Sequence, residues 1–170
     1  LNHQERWSEA LIHYEKVLKI HVSLYGQGNP IVMNDYMLLK SRYCSLGDNE
    51  SAIYWINQYV DSISYCGKKD LKEQEEELLD NLLSSAVICE DAGDHQSANN
   101  CLITALTFLE KEVGTDDERV FKLMKRISDN YIKLGDRDMS SYYFNYAYEG
   151  FRKLYGRYEA RVIMGLEECD

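Results

Sequence analysis

The sequence predicts an all-α protein, an α-solenoid of antiparallel helix pairs with about eight helices, and three observations predict it. One proline stands among 170 residues rich in Leu, Lys, Glu, Ala and Ser; proline interrupts helices and edges turns, so its scarcity favours helix over a β sandwich or barrel. A tripeptide pattern returns at Leu46-Gly47-Asp48, Ala92-Gly93-Asp94 and Leu134-Gly135-Asp136, its glycines 46 and 42 residues apart. Two further ladders share that register. Five residues after each glycine sits a small residue, Ala52, Ala98 and Ser140, with Ala10 one step earlier, and 15 or 16 residues beyond each small residue comes a second glycine, Gly26, Gly67, Gly114 and Gly156. Self-similarity at such a period marks the stacking of one supersecondary unit.

Residues 1–26 read as the second helix of a partial repeat, closed by Tyr25-Gly26 and followed by the loop Gln27-Gly28-Asn29-Pro30, where the single proline sits. Residues 31–67 form a full repeat. Its first helix places Tyr36, Leu39 and Tyr43 at i, i+3 and i+7, the spacing of one helical face. Gly47 can take the left-handed conformation that ends this helix, and Asp48 can accept the free N–H groups that open the next. Residues 72–114 repeat the plan. The acidic run from Lys72 to Asp80 complements the dipole of a helix N-terminus, and Ala98, Leu102, Ala105 and Leu106 give the second helix a small residue followed by larger ones. Residues 117–156 enter through Thr115-Asp116-Asp117, carry Met124, Ile127 and Tyr131 on the first helix, and set Ser140, Phe144, Ala147 and Tyr148 on the second. Residues 158–170 form a closing helix whose Glu159, Arg161, Glu167 and Glu168, with Arg157 just before it, suit a solvating cap. The whole is read as one domain. A start at Leu1, inside an amphipathic pattern, leads us to expect a piece of a longer protein.

Net charge and residue types exclude several functions. A formal charge of −10 and a pI near 4.9 disfavour nucleic acid and anionic membranes, whose recognition needs a Lys/Arg stripe. No run of 18 or more apolar residues predicts a membrane span. The five cysteines, Cys44, Cys66, Cys89, Cys101 and Cys169, form no C-x-x-C pair and are expected reduced, in a cytoplasmic or nuclear protein. His13 and His21 lie eight residues apart, too far along one helix to share a metal, and His3 and His95 have no ligand partner at zinc-site spacing. No nucleophile elbow or phosphate-cradling loop is present. We therefore expect no enzyme, no cofactor and no metal.

The glycine that ends a first helix and the small residue five positions on resemble the second half of the tetratricopeptide repeat (TPR). The period near 42 and the loop from Tyr25 to Pro30 are similar to the repeats of kinesin light chains. Lys40, Ser85 and Ser140 depart from the pattern, which has a small residue, Leu and Ala there. The resemblance implies a right-handed superhelix whose concave wall is made by the first helices. Carried over by register, the wall positions are Asn34, Met37, Ser41, Cys44 and Ser45; Asp80, Leu83, Val87, Glu90 and Asp91; and Lys122, Lys125, Asp129, Ile132 and Lys133.

That wall implies a protein-interaction module, a scaffold or adaptor that binds a peptide or helix with both basic and acidic patches. Only Lys122 and Lys125 match the carboxylate clamp by which some TPR proteins hold chaperone C-termini, so that partner is not expected. Two alternatives stand beside this reading. The ending Leu166-Glu167-Glu168-Cys169-Asp170 is slightly similar to the helical lobe of SET-and-MYND methyltransferases, which would make the chain an accessory lobe of a larger enzyme. The aromatic run Tyr142, Tyr143, Phe144, Tyr146, Tyr148, Phe151, Tyr155 and Tyr158 exceeds what one core-facing stripe needs, which would suit homo-oligomer formation through the last repeat.

Overall fold

A computed structural model describes residues 3–66 and 75–166. Among the described residues there are eight helices and no strand: α1 (His3–Tyr25), α2 (Pro30–Ser45), α3 (Asn49–Ile63), α4 (Glu75–Asp91), α5 (His95–Val113), α6 (Glu118–Leu134), α7 (Arg137–Tyr155) and α8 (Arg157–Met164). The expected features at Gly67, Lys72, Glu73 and residues 167–170, Cys169 among them, lie outside the described residues. The chain divides into two units, residues 1–78 and 79–170.

The Gly-Asp pairs make the turns that the sequence predicts. In each, the Asp N–H donates to the carbonyl five residues back: Asp48 to Tyr43 at 3.0 Å, Asp94 to Cys89 at 2.9 Å, Asp136 to Tyr131 at 3.0 Å. The glycine between stands at φ +74°, +79° and +79°, a region that a Cβ disfavours. The Asp side chain then accepts from the N–H three residues on, from Ser51 at 3.0 Å, Ser97 at 2.9 Å and Met139 at 3.0 Å. One residue ends a helix and the next begins another, so the chain reverses in a minimum of length.

The second glycine series works differently. Gly114 and Gly156 combine φ of +85° and +89° with ψ of 175° and 173°, so the chain leaves the helix extended instead of turning back. Entry into the next first helix is capped by Asn29, which accepts from Ile31 N–H at 2.9 Å with Pro30 in the first turn, and by Asp117, which accepts from Arg119 N–H at 2.9 Å.

In the first unit, Val32, Met33, Tyr36 and Leu39 of α2 are buried, as are Ala52, Ile56, Tyr59 and Ile63 of α3, with the Tyr36 and Trp55 rings stacked at 6.1 Å. Leu11 and Leu18 bury one side of α1, which is tied to α2 by Tyr43 Oη donating to Glu15 at 2.9 Å and His21 Nδ1 donating to Asp35 at 2.6 Å. Burial and the hydrogen bond to Glu15 push the Tyr43 phenol up to about 12. Lys40, at a position where the repeat favours a small residue, is buried.

In the second unit, Phe121 of α6 meets Phe151 of α7 edge to face at 5.7 Å. Gly150 makes room for that ring, because a Cβ on Gly150 would overlap Phe121. Ser128 and Ser140 are both buried, and the Ser128 hydroxyl donates to the Ser140 carbonyl at 2.9 Å. The serine that departs from the repeat pattern thus sits against another short polar side chain. Helix α8 packs Ala160 and Met164 inward. It ends earlier than residue 170, at Gly165 with φ +72°, where Leu166 N–H bonds to Arg161 O at 2.9 Å. Its outward side holds Tyr158 and Val162, both exposed, as are Arg157 and Glu159.

Candidate functional site

The wall residues inferred from register lie on α2 in one unit and on α4 and α6 in the other; all are exposed or half-buried, and none is in the core. On α2, Asn34, Ser41 and Ser45 are exposed, with Met37 and Cys44 half-buried between them. Ser45 donates back to the Ser41 carbonyl at 2.9 Å, which satisfies its hydroxyl within the helix. This face is uncharged, with Met37 as its large apolar side chain among short ones.

The α4 and α6 faces are built around one ionic cluster. Arg126 holds the Glu90 carboxylate through Nε at 2.9 Å and Nη2 at 2.6 Å, and Asn130 Nδ2 donates to the same carboxylate at 2.9 Å. Asn130 Oδ1 in turn lies 3.1 Å from His95 Nδ1. Burial pushes the Glu90 carboxyl up, but Arg126, Asn130 and the nearby charge of Lys133 outweigh it and hold the group below the usual carboxylate range. Three helices, α4, α5 and α6, meet in this cluster, and a bidentate guanidinium fixes both distance and rotation between two of them.

The cluster changes what the wall can offer a partner. Glu90 belongs to the interior bonding of the unit. Two of the three wall lysines also have partners on their own helix, Lys122 with Glu118 at 2.6 Å and Lys125 with Asp129 at 3.0 Å, and Glu118 further accepts from Tyr155 Oη at 2.6 Å. Exposed i, i+4 pairs of this kind are weak and exchange readily with a competing ligand. What stays outward is Asp80 and Asp91 on α4, Lys133 on α6, and two apolar side chains, Val87 at 45% and Ile132 at 62% exposure.

Sequence reasoning missed Arg126, Asn130 and His95. They sit 36, 40 and 5 residues from Glu90 and follow no periodic rule that pairs them. The aromatic run divides as the helix face dictates. Phe151 is buried and Tyr143 stacks on Tyr131 at 5.8 Å, whereas Tyr142, Tyr146, Tyr155 and Tyr158 are exposed. Tyr142 and Tyr146 flank a cleft of about 440 Å³ whose other lining includes Phe121, Asp116 and Lys153. Among the described residues no group of three or more His, Cys, Asp or Glu could hold a metal ion, and no helix is long and apolar enough to cross a membrane. The four described cysteines are thiols, with no disulfide among them.

No protein-family model matches the sequence, and no curated protein matches it. Solved structures do. The nearly identical TPR-like repeats of a protein from Podosopora anserina assigned as a kinesin light chain superpose with a TM-score of 0.54 at 15% identity, over 93% of this chain and 75% of that one. The fold is TPR-like. A variant of the same repeats, with one glutamine replaced by methionine, gives the same TM-score, identity and coverage, and BtubC (BKLC) from P. vanneervenii covers 98% of this chain and 61% of its own at 15% identity and a TM-score of 0.45. At this identity the likeness concerns backbone architecture, and the TPR-like arrangement is reached by a sequence whose wall residues are its own.

Proposed function

We propose that the chain is a non-catalytic protein-interaction module that holds a peptide or helix of a partner against its first-helix faces, as a scaffold or adaptor in a larger assembly. The observation that carries this reading is the α4 and α6 face of the second unit. Val87 and Ile132 stay exposed on the two helices that the Glu90–Arg126–Asn130 cluster joins, and Asp80, Asp91 and Lys133 are exposed on the same two helices. Exposed aliphatics on a preorganised frame give contact area at low entropic cost, and flanking charges of both signs select the register of a bound segment. The favoured ligand is an extended segment with one or two apolar anchors, a basic residue toward α4 and an acidic residue toward Lys133.

Selection of a random peptide library displayed on phage against the folded protein tests this. Enriched peptides should share apolar anchors with charges of both signs, and Val87→Asp or Ile132→Asp should weaken their binding by about tenfold or more while the helical circular dichroism is unchanged. Absence of enriched peptides, or binders indifferent to both substitutions, would move the interaction off this face.

A further inference from the structure

We propose that the cleft on α7 is a seat for an aromatic ring supplied by a partner, a phenylalanine-type side chain lying over Gly150 and beneath the Lys153 ammonium. The last two full repeats, compared in register, show what is missing there. Ten residues after the small residue that opens each second helix, α5 carries Phe108 and α7 carries Gly150; thirteen residues after it both carry lysine, Lys111 and Lys153. In α5 the Lys111 ammonium stands 5.6 Å from the centre of the Phe108 ring, within the range of a cation–π contact. In α7 the lysine is kept, and the ring three residues before it is absent.

The molecule answers part of that loss itself. Phe121 of α6 stands where α4 has Leu79, and its ring lies against Gly150 and meets Phe151. Phe121 is buried, however, whereas Phe108 is only half-buried, so the outer part of the place stays vacant. It is the cleft of about 440 Å³, with Phe121 and Gly150 in its lining. The walls change in the same comparison: where α5 has Asn100 and Thr104, α7 has Tyr142 and Tyr146, both exposed and both lining the cleft. One helix has the ring and low walls, the other high walls and no ring. A ring entering over Gly150 would extend the edge-to-face pair of Phe121 and Phe151, meet Tyr146 one helical turn away, and give Lys153 the contact that Lys111 already has. The charges at the cleft do not select a cation instead: Asp116 and Glu149 are matched in number by Lys153 and by Arg152, which holds Glu149 at 2.6 Å. The cleft shares no residue with the α4 and α6 face, so the seat stands independently of the function proposed for that face.

Titration of the isotope-labelled protein with N-acetyl-phenylalaninamide, followed by backbone amide chemical shifts, tests the seat. Ring-current shifts should centre on the amides of Tyr146, Gly150 and Lys153, with a dissociation constant on the order of 1 mM. N-acetyl-leucinamide and N-acetyl-argininamide should bind about fivefold more weakly or worse. Tyr146→Ala, at an exposed position, should weaken the phenylalanine probe about threefold or more with unchanged helical circular dichroism. Phe121→Leu combined with Gly150→Phe rebuilds the Leu79 and Phe108 arrangement of the preceding repeat, and should fill the seat from inside and abolish the shifts. Val87→Asp should leave the probe's binding as it is, so this proposal and the α4 and α6 reading fail separately. No shift up to about 10 mM probe, shifts centred elsewhere, equal binding of the leucine or arginine probe, or binding that survives Tyr146→Ala or the folded double variant would overturn the proposal.

Discussion

The pairs α2/α3 and α6/α7 share a turn and differ in what fills the space behind it. Ser62 and Gly150 occupy the same place in the repeat, ten residues after Ala52 and Ser140. Where the first pair has Met33 as the second buried residue of its first helix, the second has Phe121, and there the partner helix gives up its side chain altogether. The small residue at the helix start varies too: Ala52 in one pair, and in the other a serine hydrogen-bonded to Ser128. The turn is a local motif that tolerates any core behind it; the core is a joint property of two helices, so a change on one is answered on the other.

The largest break in this comparison is expected from Gly150→Ala. Its Cβ would overlap a Phe121 ring that is buried and held by Phe151, so the cost is that of overpacking, about 3 kcal/mol in chemical denaturation, despite alanine's better helix propensity. Ser62→Ala, the matching change in α3, should cost under about 0.5 kcal/mol, because the Ser62 hydroxyl donates, among the described residues, to the Tyr59 carbonyl of its own helix. Phe121→Leu added to Gly150→Ala should recover part of the loss; no recovery would place the strain elsewhere.

Next in size is Arg126→Met. It leaves the half-buried Glu90 carboxylate without its bidentate partner and should cost about 2 kcal/mol, part of it restored by adding Glu90→Gln. The same pair sets a pH dependence. Because the folded state holds the Glu90 carboxyl below its ordinary value of 4.5, its contribution is full above that pH and is lost as pH falls through the depressed folded value. Urea titrations between pH 6 and pH 3 should therefore show a shallower acid loss for Glu90→Gln than for the wild type.

Asn99 is buried on α5, and among the described residues its amide finds no hydrogen-bond partner. Replacement by leucine, near in volume, should raise stability by about 1 kcal/mol, read as a higher melting temperature. The smallest effect is expected from Ser140→Ala, within about 0.5 kcal/mol, since Ser128 still donates to the backbone carbonyl at residue 140. A larger loss would mean that the contact between the two hydroxyls at 3.1 Å contributes beyond the backbone bond.

Much of the fold was legible because its instructions are short-range. Gly47 and Asp48, Gly93 and Asp94, Gly135 and Asp136 carry both the end of one helix and the start of the next within two residues, and the i, i+3, i+7 runs name the face that each helix buries. The wall was legible as positions and not as chemistry. Register placed Glu90 on the α4 face, but its assignment to Arg126 and Asn130 depends on two helices brought together from 36 and 40 residues away. Likewise the closing helix reads as polar from its Arg and Glu residues, while Tyr158 and Val162 stand outward because Ala160 and Met164 are the side that finds α7 and its neighbours.

By itself, then, the sequence determined the helical class, the turns and the repeat register, because each rests on backbone preferences and periodicities that act within a few residues. Only the tertiary structure decided which charges remain outward on α4 and α6 and which glycine makes room for a ring. Those depend on distances between helices, and a distance between helices is a sum over many side chains that no local stretch contains.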